Sequence, residues 1–535
     1  MKKGLQQLFL AVGLLLSLIS NAGTVTVSGD ITANTTWTKN NQYLLTGFVY
    51  VKNGATLTIE PGTVIKGDLP TKGTLIVTRT GKINAAGTAA EPIVFTSNQP
   101  AGQRGAGDWG GIILLGNAPQ NFHDTATMVA IDGTIEGGVN NAAGDGKFGG
   151  TNAADNSGVL TYVRIEFPGV AFQPNNEING LTLGGIGSGT TIHHIQVSYS
   201  GDDSYEWFGG TVNADHLIAF RSIDDDFDTD NGFSGKIQFG VCYRDIAASD
   251  AVGASNGFES DNDANGSANL PLTGAVFSNM TIIGPRENAS TDLTGTYFKR
   301  GAHLRRNTSE SIFNSVFLGF PIGLFIDGTA AQSNAAANNL VFRYNSFYGC
   351  PKMEKAYDSA FVGAAPNNIV WGANTSDAQL TAPYAAAPNA VPQSGSPLLG
   401  SADFTNGKLS SGFTTVTYRG AFGANDTWAQ GWTEMDPQNR SYDVLAVNDM
   451  KESTNIQLMP NPAKQRAYVQ LESANAGSVQ IKIADVTGRV LLVQQNTISS
   501  GYNQLEIDLS PCAAGLYHVQ VQTEGTVTTK SLVVE

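Results

Sequence analysis

Acidic side chains are concentrated in the middle of the chain, and their spacing suggests chemistry. A first group contains Asp202, Asp203 and Glu206, and a second begins 22 residues later at Asp224 and Asp225. Two carboxyl groups about 5–9 Å apart can serve as general acid and general base in glycoside hydrolysis. Several converging carboxylates can instead hold Ca²⁺, which takes about six to eight oxygen ligands. The stretch therefore predicts a catalytic site or a cation site.

The catalytic hypothesis assigns acid and base roles to four carboxylates and charge stabilisation to one arginine. The candidates are Asp203, Glu206, Asp225, Asp228 and Arg221. Asp and Glu are also frequent in exposed turns, where their oxygens accept backbone hydrogen bonds. The same residues therefore also fit a protein without catalysis, and no serine or cysteine nucleophile motif accompanies them.

The calcium hypothesis depends on two segments in which oxygen-bearing side chains alternate with other residues. The predicted ligands are Asp226, Asp228, Asp230, Asp261, Asp263 and Asn265. Gly266 stands at the sharp turn of a calcium loop, but Leu272 and Ile237 stand where a closing Glu is expected. An acidic turn without an ion is the alternative interpretation.

Aromatic and imidazole side chains lie beside the acidic stretch. Tyr205 and Trp207 are predicted to bind a sugar through their ring faces, although strand alternation would place about half of such rings in the core. His193 and His194 are adjacent, and adjacent strand residues face opposite ways. The sequence therefore predicts that these two histidines do not share one metal ion.

Short apolar triplets between Gly and Asn turns indicate the elements that position these residues. Triplets begin at Leu57, Leu75, Ile93 and Gly111, an interval of 18 residues each time. Such a repeat predicts a β-solenoid, in which stacked coils bury what one coil cannot. We interpret residues 23–440 as a right-handed parallel β-helix, with 22 residues making about one coil. Equivalent carboxylates would then lie about 4.8 Å apart, which raises their pKa values or recruits a cation.

Composition limits the class of protein. The 535 residues include 62 glycines, with 41% hydrophobic and 14% charged residues, which is typical of an all-β protein rich in turns. The net charge of −15 argues against nucleic acid as a partner, because phosphates would be repelled. Cys242, Cys350 and Cys512 are too few for a disulfide framework, so either a Cys242–Cys350 bridge or buried thiols would fit.

Residues 455–535 form short alternating runs separated by turns, which predicts a small Ig-like β-sandwich. Their motifs resemble the type A C-terminal sorting domain of the type IX secretion system of Bacteroidota. The motif residues are Pro460, Asn461, Pro462, Asp485, Gly488, Arg489, Gly515, Tyr517 and Lys530. The resemblance implies that the type IX secretion machinery is a partner. It also implies that the sorting domain is removed while the cargo is released or fixed outside the outer membrane.

The start of the chain agrees with this destination. Residues 1–22 indicate a signal peptide, in which Lys2 and Lys3 precede an apolar run from Leu8 to Ile19. No other apolar stretch approaches the roughly 20 residues of a spanning helix, so no transmembrane segment is predicted in the mature protein. Residues 441–454 are predicted to be a linker. Together these segments predict a secreted or cell-surface protein.

Segments of residues 23–440 also resemble a family of secreted parallel β-helix proteins of Bacteroidota. The matching segments are 55–65, 107–113, 155–158, 162–167 and 418–423. This family implies the fold and the location. It is functionally uncharacterised, so it implies no catalytic residue.

Two functions from different classes fit these observations. The first is a non-catalytic surface protein that binds polysaccharide or another surface and holds Ca²⁺. The second is a carbohydrate-active enzyme, a polysaccharide lyase or a glycosidase. A concave groove with an exposed basic residue would favour the enzyme, whereas a flat, evenly spaced ladder of carboxylates would favour binding. We favour binding.

Overall fold

A computed structural model describes residues 23–124, 126–173, 176–442, 456–473, 476–486, 489–523 and 526–535. They form two compact units, one within residues 23–442 and one within residues 456–535. The predicted signal peptide, Gly488 of the sorting motif and most of the predicted linker lie outside the described residues. In the part of the chain that is described, no helix is long and apolar enough to cross a membrane.

The larger unit is a solenoid of three parallel sheets, A, B and C, in which 25 strands pair edge to edge. Five long strands give their first half to sheet A and their second half to sheet B: Gly158–Glu166, Thr191–Ser198, Ala214–Phe220, Lys236–Tyr243 and Val276–Ile283. The other strands of sheet A are Thr35–Trp37, Thr56–Ile59, Lys82–Ala86, Ser311–Phe313 and Phe342–Arg343. Those of sheet B are Val64–Gly67, Ile93–Ser97, Val316–Leu318, Ser346–Tyr348 and Val370–Gly372.

Sheet C carries the acidic stretch. Thr24–Ile31 and Gln42–Val51 run from sheet B into sheet C. The remaining strands of sheet C are Thr74–Val77, Gly111–Leu115, Leu181–Gly184, Tyr205–Phe208, Phe227–Asp230, Phe258–Ser260, Arg300–Leu304 and Ile322–Ile326.

The long strands turn from sheet A into sheet B at a residue with left-handed backbone. Tyr162, His194, His216, Phe239 and Asn279 have φ between 51° and 61°. The strand register places them at equivalent positions on successive coils. Each one interrupts the alternation of side chains, because its backbone lies outside the β region. We call these five residues the bend column.

Inward side chains form a continuous apolar core. Tyr205 stacks on Phe227 of the next coil with ring centroids 5.6 Å apart, and Trp207 stacks on Phe233 at 5.4 Å. All four rings are completely buried. Because this burial stabilises two coils at once, each coil depends on its neighbours.

The predicted fold class is confirmed, and one detail of the repeat is corrected. Tyr205 pairs with Phe227, so the 22-residue interval is one coil in the acidic stretch. The 18-residue interval is not a coil, because Leu57 lies in sheet A, Leu75 in sheet C and Ile93 in sheet B. The 18-residue interval therefore separates strands of different sheets, and not equivalent strands of successive coils.

Helices and short antiparallel pairs complete the larger unit. The α-helices are Gly328–Ala336 and Ala356–Gly363, and the 3₁₀ turns are Ala365–Asn367, Thr375–Ala378 and Gly407–Leu409. Antiparallel pairs join Gly133–Thr134 to Lys147–Phe148, Ala171–Gln173 to Asn176–Glu177, and Leu380–Ala382 to Asn389–Pro392. The first two pairs bring acidic residues to the site described below.

Residues 398–442 form a strap that follows the bend between sheets A and B. Side-chain amides of the coils hold it. Gln238 exchanges two hydrogen bonds of 2.7 Å with the backbone of Thr414. Gln196 does the same with Glu434, at 2.7 and 2.9 Å. The strap thereby satisfies its own backbone on the solenoid and covers the bend column.

The smaller unit is an antiparallel sandwich of two sheets. One sheet contains Gln457–Met459, Arg466–Ser473 and Gly501–Asp508. The other contains Val490–Ile498, Gly477–Asp485, Gly515–Thr523 and Thr526–Val534. Alternating apolar residues such as Val469, Ile481 and Val519 fill the space between the sheets. The predicted sandwich is thereby confirmed.

The sorting-motif residues have structural roles in this sandwich. Asn461, between Pro460 and Pro462, accepts a hydrogen bond from Val533 N–H and donates one to the Ser531 carbonyl, both at 2.9 Å. The remaining described motif residues close turns or lie on strands. Asp485 accepts a hydrogen bond from Arg489 N–H, Gly515 begins a strand, Tyr517 is buried and Lys530 is exposed.

The three cysteines are free thiols, of which Cys242 and Cys350 are buried and Cys512 is half-buried. Of the two alternatives open for Cys242 and Cys350, the structure therefore has buried thiols. Burial raises the pKa of Cys350 to about 12, so this thiol stays protonated and unreactive at neutral pH.

Shortening a stacked core ring should destabilise the solenoid. We expect Phe227→Ala to lower the free energy of unfolding by about 3–5 kcal/mol, because it removes a fully buried ring and leaves a cavity. Urea denaturation followed by circular dichroism measures this loss. Val252→Ala is the control, since this side chain is 81% exposed and its removal should change stability by less than about 0.5 kcal/mol. A Phe227→Ala protein as stable as the control would contradict the inward orientation of this ring.

A buried glutamic acid should make stability fall as pH rises. Burial raises the pKa of Glu310 to about 8, and Thr229 donates a 2.6 Å hydrogen bond to its carboxyl. The folded state therefore holds a proton that the unfolded chain releases above about pH 4, so stability decreases from there to about pH 8. We expect Glu310→Gln to match the parent at pH 4 and to exceed it by at least about 1 kcal/mol at pH 8.

Urea denaturation at several pH values tests this difference. Glu287→Gln is the matched control, because Glu287 is exposed and its neutral variant should leave the pH profile unchanged. A Glu310→Gln profile with the same slope as the parent would show that Glu310 is ionised in the folded protein.

Candidate functional site

The outer face of sheet C carries a column of charged residues in exact strand register. Glu206 pairs with Asp228, Asp228 with Glu259, and Glu259 with His303. Inward Phe227 and Thr229 alternate with outward Asp228 and Asp230 on one strand, which is why the carboxylates share this face. Successive members stand about 4.8 Å apart, so their charges interact strongly.

A second column of polar side chains stands just before these strands and joins successive coils through hydrogen bonds. Asp203 accepts a 2.7 Å hydrogen bond from the backbone N–H of Asp225. Asp225 accepts one from Asn256 N–H, and Asn256 accepts a 3.2 Å bond from Arg300 N–H. Each side chain therefore satisfies the backbone of the next coil. Asp225 is occupied in this way, and it does not line the pocket described below.

A coil of basic residues neutralises one end of the acidic column. Arg305 pairs with both Glu259 and Asp261, at 2.8 Å for Asp261. Arg306 also pairs with Asp261 at 2.7 Å, and His303 lies 3.3 Å from Glu259. The carboxylates of Glu259 and Asp261 are therefore neutralised by the arginines of the following coil.

The other end of the column opens into a pocket of about 320 Å³, which we call the acidic pocket. Its lining comes from sheet C and from neighbouring loops: Glu136, Glu177, Asn179, Gly201, Asp202, Asp203, Glu206, Asp224, Asp250, Val252 and Gly253. Of these described lining residues, none is a lysine or an arginine. The pocket therefore concentrates negative charge without an internal counter-charge.

Two overlapping triads of carboxylates lie in and beside the acidic pocket. The oxygens of Asp202, Asp203 and Asp224 are within 4.8 Å of one another, and so are those of Asp203, Glu206 and Asp228. One buried oxygen of Asp228 has no hydrogen-bond partner among the described residues. Such triads can hold a cation or retain protons.

Burial raises the pKa of Asp203, Glu206 and Asp228 well above the usual carboxyl range, and the charges of neighbouring carboxylates raise each one further. Burial raises the pKa of Glu136 as well, and the neighbouring Glu136 carboxyl adds to the rise at Glu206. Asn179 supports the pair by donating to both, at 3.1 Å for Glu136. The arrangement can release protons when a cation enters.

The structure corrects the predicted sugar-binding residues. Tyr205 and Trp207 are completely buried in the core, so neither ring can meet a ligand. The physical reason is the two-residue period of a strand: Glu206 faces outward, and its neighbours must therefore face inward.

Two further candidates lie away from the acidic pocket. Arg221 lines a separate pocket, where its guanidinium covers the ring of Phe220 and donates a 3.1 Å hydrogen bond to Tyr199. It therefore cannot stabilise charge at these carboxylates, and that prediction is corrected. Asp226 precedes its strand and is buried against Arg244 at 2.8 Å, so it cannot share an ion with Asp228 and Asp230.

The predicted calcium loop is an acidic turn whose side chains are already engaged. Asp261 is held by two arginines, as described above. Asp263 accepts hydrogen bonds from Asn265 N–H at 2.9 Å and Ser267 N–H at 3.1 Å, as turn-forming residues do. The prediction that Asp261, Asp263 and Asn265 form a ligand set is therefore corrected.

The expectation that His193 and His194 face opposite ways is also wrong. Their Nδ1 atoms lie 3.0 Å apart, because the left-handed backbone of His194 interrupts strand alternation. The ring of His194 stacks on that of His216 from the next coil, with centroids 4.4 Å apart. Burial lowers the pKa of His194 to about 4, so this imidazole is neutral at physiological pH.

Several residues of the acidic pocket gave no signal in the sequence. Glu136 and Asp250 lie in loops and Glu177 lies on a short antiparallel strand outside sheet C, so they share no interval with the column on sheet C. Asn179 is one coil before Asp203 and could have been found from the strand register alone.

Comparison with known proteins agrees with this architecture. Residues 29–433 match the model of the pectate-lyase like beta helix domain, and residues 457–535 match the secretion system C-terminal sorting domain. The sorting domain indicates export by the type IX secretion machinery and therefore a secreted or cell-surface protein.

Among solved structures, the enzymatically active domain of tailspike protein 2 from bacteriophage CBA120 is similar, with 10% identity and a TM-score of 0.25 over 92% of this chain and 72% of that one. No curated protein matches the chain. Because the first family match covers most of the 535 residues, the chain belongs to the family of pectate-lyase-like β-helix domains.

Proposed function

We propose that this protein is a non-catalytic binding protein of the outer cell surface that holds Ca²⁺ in the acidic pocket. Through this ion it binds an anionic polysaccharide. The observation that carries the proposal is the pair of overlapping carboxylate triads around Asp203. Ca²⁺ suits such a site because it takes carboxylate and carbonyl oxygens in flexible geometry.

The direct ligands would be Asp203, Glu206 and Asp228, with Asp202 and Asp224 beside them. An ion there would relieve the repulsion that raises the pKa values of these groups. A bound Ca²⁺ keeps open positions that water or the carboxylates of a polysaccharide can fill. This route to the polysaccharide needs no aromatic platform, which agrees with the burial of Tyr205 and Trp207.

The lining of the pocket favours binding over elimination chemistry. A polysaccharide lyase needs a base, commonly a basic side chain, within reach of the proton that it removes. Two basic residues at the other end of the column, His303 and Arg305, are engaged with Glu259. The pocket is concave, as expected for an enzyme, but its described lining lacks the basic residue.

Calcium should bind and stabilise the parent protein. We expect isothermal titration to show Ca²⁺ binding and EDTA to lower Tm, because a ligand of the folded state stabilises it. Glu206→Gln and Asp228→Asn should each weaken binding at least about tenfold, since each removes one charged ligand. Asp263→Asn is the matched control, because this neighbouring acidic residue only caps a turn. Equal Ca²⁺ affinity in all three variants, or a parent protein that does not bind Ca²⁺, would refute the site.

Polysaccharide binding should depend on the ion. On an array of charged and neutral glycans, we expect retention of acidic glycans in Ca²⁺ and its loss in EDTA. Retention that persists in EDTA, or in Glu206→Gln, would place the polysaccharide elsewhere on the solenoid.

A glycosidase is the alternative, and one observation favours it. Burial and the neighbouring Glu136 raise the pKa of Glu206 well above its ordinary value, which is the direction that a general acid requires. We expect no release of reducing ends or unsaturated uronates by the parent. Turnover that is abolished by Glu206→Gln and retained in Asp263→Asn would overturn the non-catalytic proposal.

A further inference from the structure

A second group of metal-binding side chains lies at the bend between sheets A and B. His193 and His194 belong to one coil, and Asp215 and His216 belong to the next. His193 pairs directly with Asp215 in the strand register, and His194 stands opposite His216 in the bend column. This group is on a different face from the acidic pocket, which lies on sheet C.

The donor atoms of three members of this group converge, and those of His193 lie beside one of them. The nitrogen or oxygen atoms of His194, Asp215 and His216 all lie within 4.8 Å of one another. The Nδ1 atom of His193 is 3.0 Å from that of His194, and His216 Nδ1 contacts the carboxylate of Asp215. Two nitrogens that bind one ion at about 2.0–2.1 Å are separated by about 2.9–3.4 Å, depending on the coordination angle, and the 3.0 Å between His193 and His194 lies in this range.

The donor types select a class of ion. Imidazole nitrogens favour Zn²⁺, Cu²⁺ and Ni²⁺, whereas Ca²⁺ takes oxygen ligands. We propose that His193, His194, Asp215 and His216 form a binding site for one divalent transition-metal ion, such as Zn²⁺ or Cu²⁺. This proposal is independent of calcium binding in the acidic pocket.

The site is open to an ion from solvent. A pocket of about 490 Å³ is lined by His193, Asp215 and His216. Lys236 also lines it, but its ammonium donates a 2.6 Å hydrogen bond to the Ser411 carbonyl of the strap. The Lys236 ammonium is thereby bound to the strap and does not occupy the donor atoms of the histidines.

Packing fixes the imidazole rings before an ion arrives. The strap places the ring of Trp428 4.9 Å from that of His216, and Trp432 5.7 Å from that of His194, both edge to face. Tyr162 stacks on His194 from the preceding coil at 4.4 Å. Because His194 and His216 stack face to face, one of the two rings must tilt out of the stack for both nitrogen lone pairs to reach one ion.

The bend column shows what the histidines add. Tyr162 and Phe239 occupy the same position on the neighbouring coils, and Phe239 lies 5.1 Å from His216. The stack therefore holds tyrosine, histidine and phenylalanine rings, and His194 and His216 are its imidazole members. His194→Tyr and His216→Phe consequently remove the donors and reproduce side chains that the column already holds.

The test is titration of the untagged mature chain with zinc chloride. We expect one Zn²⁺ per chain in the parent, and binding weakened at least about tenfold in His194→Tyr and His216→Phe. His123→Asn is the control, since this half-buried histidine lies outside the group. Circular dichroism and Tm of the metal-free variants check that the fold is retained.

Two further measurements keep the test decisive. If His194→Tyr or His216→Phe fails to fold, His193→Gln should still weaken zinc binding, because His193 is an imidazole donor outside the bend column. The electron paramagnetic resonance spectrum of the Cu²⁺-bound parent should show hyperfine coupling to at least two imidazole nitrogens. Zinc affinity unchanged in every variant, a parent that does not bind zinc, or copper without nitrogen coupling would overturn the proposal. Calcium affinity should be the same in His194→Tyr as in the parent.

Discussion

The structure depends on parallel coils that stack in register about 4.8 Å apart. This constraint places residues one coil apart in sequence in direct contact, whatever the length of the intervening loop. Inside the solenoid it stacks Tyr205 on Phe227 and thereby builds the core. Outside, it builds the column of Glu206, Asp228 and Glu259 on sheet C. Core stability and outer chemistry thus come from the same register.

Stacking like charges costs free energy, and each coil offsets this cost differently. Glu259 is paired with Arg305 of the following coil. Asp203 and Asp225 accept backbone hydrogen bonds that join the coils. Burial and neighbouring carboxylates raise the pKa of Glu206, while one buried oxygen of Asp228 lacks a hydrogen-bond partner among the described residues. The uncompensated charge therefore accumulates at the open end of the column, where the acidic pocket lies.

The sequence predicted those features that depend on period and interval. The β-helix, the sandwich of residues 455–535 and the 22-residue spacing of Asp203 and Asp225 follow from local patterns. The prediction for Tyr205 and Trp207 failed because it did not establish which residues of the strand face outward. Since Glu206 faces outward, both of its neighbours must face inward.

Other features could not be predicted from alternation, because backbone and loops decide them. A left-handed residue at His194 turns two adjacent imidazoles toward each other. Glu136 and Asp250 enter the acidic pocket from loops that carry no periodic signal. Arg305 stands 44 residues after Asp261, a separation set by the loop between their coils and not by a regular repeat.

The bend column and the acidic column differ in how readily they tolerate substitution of their side chains. In the bend column, Tyr162, His194 and Phe239 show that the stack accepts different rings, since ring stacking is attractive for each. In the acidic column, a neutral residue in place of Asp228 would relieve repulsion and stabilise the empty solenoid. In the proposal above, a cation bound beside Asp228 would offset this repulsion. The electrostatic cost at Asp228 therefore adds to the geometry of the carboxylate triads as support for the proposed cation site.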